Sequence, residues 1–285
     1  MVLMNNDFYL EKRLSLLSSD LHTRFKDSIF ALNRILESYK LLFPTYTDHS
    51  IFHAINVVNF GNKIINEYAD NLNADELYCF LMACYLHDIG MGLNKKDYNN
   101  FRSYLHLPEV QEDEVAEQIR KNHNDFSGEF IKKYSEFFDF PSKEHEFAII
   151  QIARGHRKTD LYNCEEYPSA LKVPCGNTIC LPYLASIIRL ADEVDVASDR
   201  NITDDLMMGE TIESQVAFGT HKAIKHLEVC PDCFVMDVDV SDKAIYKYVI
   251  EQNEKVKETI RYCVDVVAKR TPYRIHQDKI VVHQV

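Results

Sequence analysis

Apolar residues recur every three or four positions through most of the first two hundred residues, the spacing that lines one face of an α-helix. Leu14, Leu17, Leu21, Phe25, Ile29, Leu32, Ile35, Leu36 and Tyr39 carry it through a predicted helix over 8–43, stopped by Pro44. A second helix is predicted over 49–69. Its apolar residues, among them Ile51, Phe52, Ile55, Val57, Val58, Phe60 and Ile64, fall nearly all round, which places it in the core. Asn73-Ala-Asp-Glu76 has the form of a capping box and opens a third helix through Leu77, Phe80, Leu81 and Cys84. Gly90 and Gly92 read as its end. The stretch 93–108 reads as a loop and 109–121 as a charged helix, while Phe126, Phe130, Ile131, Tyr134, Phe137 and Phe138 mark another. Pro141-Ser142 caps the next, on Phe147, Ile150 and Ala153 up to Gly155. After an irregular 157–177, helix returns over 179–199 on Leu184, Ile187, Ile188, Ala191 and Val194.

The texture changes near residue 201. Ala223 to Val229 and Phe234 to Val240 alternate or run apolar around Cys230-Pro-Asp-Cys233, the pattern of a β-hairpin. A long amphipathic helix is predicted over 242–269, and Ile280 to Val282 form a last short strand. The expected fold is mainly α, with a small α+β C-terminal extension. Three parts follow: an N-terminal helical segment over 1–44, a helical domain over 45–200, and the hairpin and long helix over 201–285.

Charge narrows the function. Lys and Arg number 32 against 44 for Asp and Glu, a net charge of −12, so the chain has no footprint for non-specific nucleic-acid or anionic-membrane binding. An acidic protein that handles a phosphate ester needs a local positive charge, and twelve His residues supply ligands for a metal. The N-terminus lacks the basic start and apolar core of a signal peptide. No stretch approaches the roughly 18 apolar residues of a membrane span. With eight Cys, two of them in the apolar run of the third helix, a reduced cytoplasmic protein is expected.

The candidate chemistry lies in His and Asp residues repeated at successive helix ends. His49 and His53 stand at i and i+4, predicted one above the other on one helix face. His87-Asp88 closes the third helix, His123 stands ahead of a helix and His156 after one, and Asp192 lies within an apolar helix. The intervals from His53 to His87, Asp88 to His123, His123 to His156 and His156 to Asp192 are 34, 35, 33 and 36 residues. Each is about a helix plus its connection, so neighbouring helices can bring all six side chains to one point. Imidazole and carboxylate together suit Fe, Mn, Ni or Zn, with Mg also in range, and one carboxylate can bridge two ions. A bound divalent ion lowers the pKa of water from about 15.7 to roughly 7 and clamps phosphate oxygens.

This pattern resembles the HD superfamily of metal-dependent phosphohydrolases. The doublet region Leu86-His-Asp-Ile-Gly-Met91 is similar to the family's His-Asp motif, and His49-x3-His53-x2-Asn-Val57 to its first-ligand helix. Ile188-Arg-Leu-Ala-Asp192-Glu-Val-Asp195 resembles the segment whose first Asp closes the metal site. The resemblance covers roughly 45–200 and implies an HD-type helical bundle around a metal site. It implies that His53, His87, Asp88 and Asp192 bind one ion, and that His123 and His156 add a second, with Asp88 bridging and catalytic. The segment Ile89-Gly-Met-Gly92 lacks the acidic pair of the guanosine-polyphosphate hydrolases. Met91 stands where the cyclic-diguanylate branch has Lys, and that branch's Gly-Tyr-Pro motif is absent.

His49 reads as a proton donor or a hydrogen-bonding partner to the ligands. Arg189 and Asp195 share a helix face with Asp192, and Arg189 either pairs with Asp195 or supports a ligand carboxylate. Lys95, Arg157 and Arg200 lie near the motifs and are candidates for binding substrate phosphate. Cys230 and Cys233, with Cys175 and Cys180, have the makings of a zinc site, and Cys230-Pro-Asp-Cys233 equally suits a plain turn. The leading expectation is a phosphohydrolase of a nucleotide or other small phosphate ester. A di-iron oxygenase using the same ligands and a metal-bound, non-catalytic sensor or partner-binding module are the alternatives. The apolar stripe of 242–269 has to be covered, either by the helical domain or by a second copy, and a homodimer with the C-terminal extension at or near its interface is expected.

Overall fold

A computed structural model of the chain describes residues 8–36, 49–196 and 212–285. The N-terminal periodicity resolves into α1 (Tyr9–Leu17) and α2 (Ser19–Leu36), two helices where one was expected. The break is at Ser18, whose backbone is extended and whose hydroxyl accepts from Leu21 N–H at 3.3 Å. Helix α3 (Ile51–Ile65) begins after Ser50, the N-cap, and then tightens into a 3-10 turn over Asn66–Asn71. Helix α4 (Ala74–Leu86) opens with the capping box read from the sequence, Asn73 and Glu76 each satisfying the other's backbone N–H. From Asp75 to Leu86 every residue of α4 is buried, because α1, α2, α3 and α8 (Lys143–Arg154) all pack around it. It is the axis of the bundle.

The segment 93–108, read as a loop, contains α5 (Lys95–Phe101), started by a second capping box between Asn94 and Asp97. Its apolar residues are only Tyr98 and Phe101, a single i, i+3 pair too short to give a helical signal. The two helices expected on either side of residue 122 are one helix, α6 (Val115–Lys133), kinked at Asn122 (φ −119°, ψ 17°). The break in the apolar pattern is real, but it marks a kink within one helix rather than a boundary between two. A single turn, α7 (Ser135–Phe138), leads to α8, whose N-cap is Ser142 as expected. Beyond the irregular 157–170, a two-stranded ladder of β1 (Leu171–Lys172) and β2 (Thr178–Ile179) precedes α9 (Leu181–Glu193). Helix α9 is buried from Leu181 to Ala191.

In the C-terminal part, α10 (Ile212–Ala223) runs into β3 (Ile224–Val229), which pairs antiparallel with β4 (Phe234–Val238) around the Cys230–Cys233 turn. Helix α11 (Lys243–Arg270) follows, and β5 (Ile280–Gln284) returns to pair parallel with β4. Val249, Val256, Ile260, Cys263, Val266 and Val267 of α11 are buried, and α9 is its main contact. The stripe that had either the helical domain or a second copy to cover it is covered by the helical domain. One continuous core therefore runs from Leu10 to Ile280. Among the described residues, no helix is long and apolar enough to cross a membrane.

Candidate metal centre

Five helices bring side chains to one point. His53 lies in the first turn of α3, His87 and Asp88 in the turn leaving α4, His123 just after the kink of α6, His156 after α8, and Asp192 in the last turn of α9. All but Asp192 are buried, and the Asp192 side chain is only 18% exposed. Asp88 is at the middle. Its Oδ2 lies 3.4 Å from Nε2 of both His53 and His87, and its Oδ1 lies 3.3 Å from His123 Nε2 and 3.5 Å from His156 Nε2. Asp192 Oδ1 adds to the first side only, 3.2 Å from His53 Nε2 and 3.9 Å from His87 Nε2. The donor atoms form compact sets able to hold an ion: His53, His87 and Asp192; Asp88, His123 and His156; and His49, His53 and Asp88.

The hydrogen bonds on the far side of each ring decide its tautomer. His53 Nδ1 faces Asp195 Oδ2 at 2.6 Å, and Nδ1 of His87, His123 and His156 face the carbonyls of Cys84, Arg120 and Ala153 at 2.9, 2.7 and 2.6 Å. A nitrogen that faces an acceptor carries the proton, which leaves Nε2 of each neutral ring as a bare lone pair. Yet Nε2 of His53 and His87 are 3.1 Å apart, and those of His123 and His156 are 2.9 Å apart. Lone pairs held that close need a cation between them. Two donors about 2.0–2.1 Å from one ion and at right angles would stand about 2.9 Å apart. The donor set fits divalent metal.

Charge completes the argument. Burial opposes ionisation of Asp88, but positive charge facing it, on His87 and His49 or on an ion held between neutral rings, outweighs burial and keeps the carboxyl well below the usual range. Asp192 behaves alike: positive charge on the side of His53, His156 and His87 overcomes burial. Burial, with His87 and His123 alongside, pushes the His156 imidazole well below its ordinary value, so it stays neutral and able to ligate.

The HD-CE family model matches residues 43–271. The chain belongs to this family, an HD-type domain. No curated protein and no solved structure matches it. The match runs past residue 200 and takes in α11.

Around the ligands of this HD-type domain, the other candidates separate. His49 does not share a helix face with His53, because α3 starts two residues later. It precedes the N-cap, and its Nδ1 reaches Asp88 Oδ2 at 2.6 Å with the ring 14% exposed. Asp195 is buried and grips His53 Nδ1, the carboxylate–imidazole arrangement that fixes a ligand's orientation, and Asn56 Nδ2 donates to its other oxygen at 3.3 Å. Arg189 turns away from Asp195: its Nε donates to Gly155 O at 2.7 Å and its Nη2 to Thr159 O at 2.9 Å. Lys95 is in an exposed pair with Glu112 at 3.1 Å. Arg157 is exposed in the turn directly after His156, and Arg200 lies outside the described residues.

Sequence reasoning passed over Ser127 and gave Gly90 too small a part. Ser127, wholly buried, donates to His87 O at 2.6 Å and accepts from Gly90 N at 2.9 Å, bracing both sides of the doublet. Its spacing of four from His123 was the available signal. Gly90 does more than end a helix. A Cβ there would lie 2.2 Å from His123 O, so glycine is what lets the doublet turn meet the kink of α6. The cysteines gather into no metal-ligand cluster among the described residues: Cys230 and Cys233 flank the hairpin turn, Cys180 is buried, and Cys175 donates to Asp75.

Proposed function

We propose that this HD-type domain is a metal-dependent phosphohydrolase with two ions, acting on a nucleotide or other small phosphate ester. The observation that carries the reading is the split of Asp88, one oxygen turned to His53 and His87 and the other to His123 and His156. His53, His87 and Asp192 would hold one ion, His123 and His156 the other, and Asp88 would bridge. Ions in this position supply Lewis acidity toward a phosphoryl oxygen and a water acidic enough to ionise near neutral pH.

The chain's own residues do the rest. Asp195 orients His53, and the carbonyls of Cys84, Arg120 and Ala153 hold protons on Nδ1 of the other three rings, keeping every Nε2 inward. His49, the most exposed of the imidazoles here, presents its Nδ1 to Asp88 and is placed to pass a proton between the centre and a departing oxygen. Arg157, beside His156 in a chain of net charge −12, is the cation we assign to the substrate's phosphate. The test is a screen of phosphomonoesters and phosphodiesters with Mn, Fe, Ni, Zn or Mg supplied. The expected result is release of orthophosphate or nucleotide, abolished by chelation. Oxygen consumption with iron and no phosphate release would replace hydrolysis by oxygenation, and loaded protein without turnover would leave a sensor.

A further inference from the structure

We propose that Arg189 and Tyr262 are positioning residues for His156, so that the C-terminal helix α11 sets the half of the centre made by His123, His156 and Asp88 Oδ1. This rests on the two-ion reading above. Arg189 is an unusual occupant of α9. It is 7% exposed, and removing a guanidinium from water is costly, so its hydrogen bonds have to recover what burial takes away. No carboxylate pairs with it among the described residues. Its donors converge instead on one turn: Nε on Gly155 O at 2.7 Å, Nη2 on Thr159 O at 2.9 Å and on Thr159 Oγ1 at 3.0 Å. Those acceptors lie one residue before His156 and three after it, so the planar guanidinium spans the turn that carries the ring.

That turn needs an external hold. Helix α8 ends at Arg154, and the His156 N–H reaches only a distant carbonyl, Ala153 O at 3.3 Å. The opposite side of the guanidinium rests on the Tyr262 ring, 5.0 Å from its centroid, a cation–π contact that fixes its plane. Tyr262 is tied down in turn, because its hydroxyl accepts from Leu161 N–H at 2.8 Å. Arg270, two turns further along α11, donates to the carbonyls of Leu161 and Tyr167. Helix α11 thus grips the chain downstream of His156 at several carbonyl and amide groups, and Arg189 is clamped between that helix and the turn. His53 lies inside α3 and leans on Asp195, and His87 follows directly on α4 with Ser127 donating to its carbonyl, so the other half of the centre has supports that do not involve α11.

The experiment is metal titration of the full chain by calorimetry with Mn2+, together with elemental analysis, on parent, Arg189→Met, Arg189→Lys and Tyr262→Leu. The parent is expected to take two ions per chain. Arg189→Met and Tyr262→Leu should weaken one of them by about 10–100-fold and leave the other near its parent affinity. Arg189→Lys, with an ammonium that cannot span Gly155 and Thr159 in one plane, should fall between. Should Arg189→Met not fold, Tyr262→Leu and Thr159→Ala carry the same reading. Variants that bind both ions as the parent does overturn the proposal, and so does equal weakening of both ions, which would mean a general loss of structure. A parent that binds fewer than two ions overturns the two-ion reading and this inference with it.

Discussion

Two buried groupings of imidazole with carboxylate lie in the same helical core, and they differ in how their hydrogen bonds close. At one, His145 Nε2 meets Asp75 Oδ1 at 2.7 Å, Ser142 Oγ meets His145 Nδ1 at 2.9 Å, and Asn177 and Cys175 donate to Asp75 Oδ2. Every ring nitrogen and both carboxylate oxygens have a partner of the opposite kind. The pair fastens α4, α8 and the 174–177 loop together and asks for nothing more. At the centre around Asp88, four imidazoles have each given their one proton to an acceptor behind them, and their lone pairs point at each other and at two carboxylates. Acceptors exceed donors there. Composition and burial are alike in the two places; the balance of protons separates a structural tie from a site that calls for a cation.

Exchanging the two carboxylates for amides tests that contrast most strongly. Asp88→Asn is expected to remove both ions by elemental analysis and to bring hydrolysis to background, with the chain still folded by circular dichroism. Asp75→Asn is expected to leave metal content intact. Metal retained by the first variant, or lost by the second, would erase the distinction.

Asp195→Asn probes support rather than ligation. An amide in place of the carboxylate that grips His53 should lower metal affinity by about 10–100-fold, as measured by competition with a chelating dye. An unchanged affinity would reduce Asp195 to a packing residue.

The tie should show itself in acid. Burial pushes the Asp75 carboxyl up, yet hydrogen bonds from His145, Asn177 and Cys175 win and hold it at about 2 against an ordinary 3.8. The folded state therefore keeps this group ionised where the unfolded chain takes up a proton. Its contribution is fully present above about pH 4 and is lost as pH falls toward about 2, a total of about 2 kcal/mol. Denaturant melts of Asp75→Asn should be weaker by about that amount at neutral pH and should lose this part of the acid dependence.

The smallest effect is expected at Ser127. Ser127→Ala leaves His87 O and Gly90 N without their shared partner and should cost about 1–2 kcal/mol in denaturant melts, with metal still bound.

Much of this molecule is written in short stretches of sequence. The Asn73–Glu76 box, the Ser142 cap, the hairpin around Cys230–Cys233 and the apolar stripe of α11 are set by residues within four positions of one another, and periodicity and cap chemistry are local. The near-equal spacing of His53, His87, Asp88, His123, His156 and Asp192 already implied their convergence, because a helix and its connection have a characteristic length. What the sequence left open lies in pairings between distant residues. Asp195 reaches His53 across 142 positions, and Arg189 reaches Gly155 across 34 rather than Asp195 across six. Gly90 looked like a helix end and is a contact with the backbone at His123; the gap in the pattern at residue 122 looked like a boundary between two helices and is a kink within one. Composition could not say whether a buried imidazole has a donor or a lone pair facing it. Only the packed chain decides that, because each ring's proton follows whichever acceptor the tertiary structure places behind it.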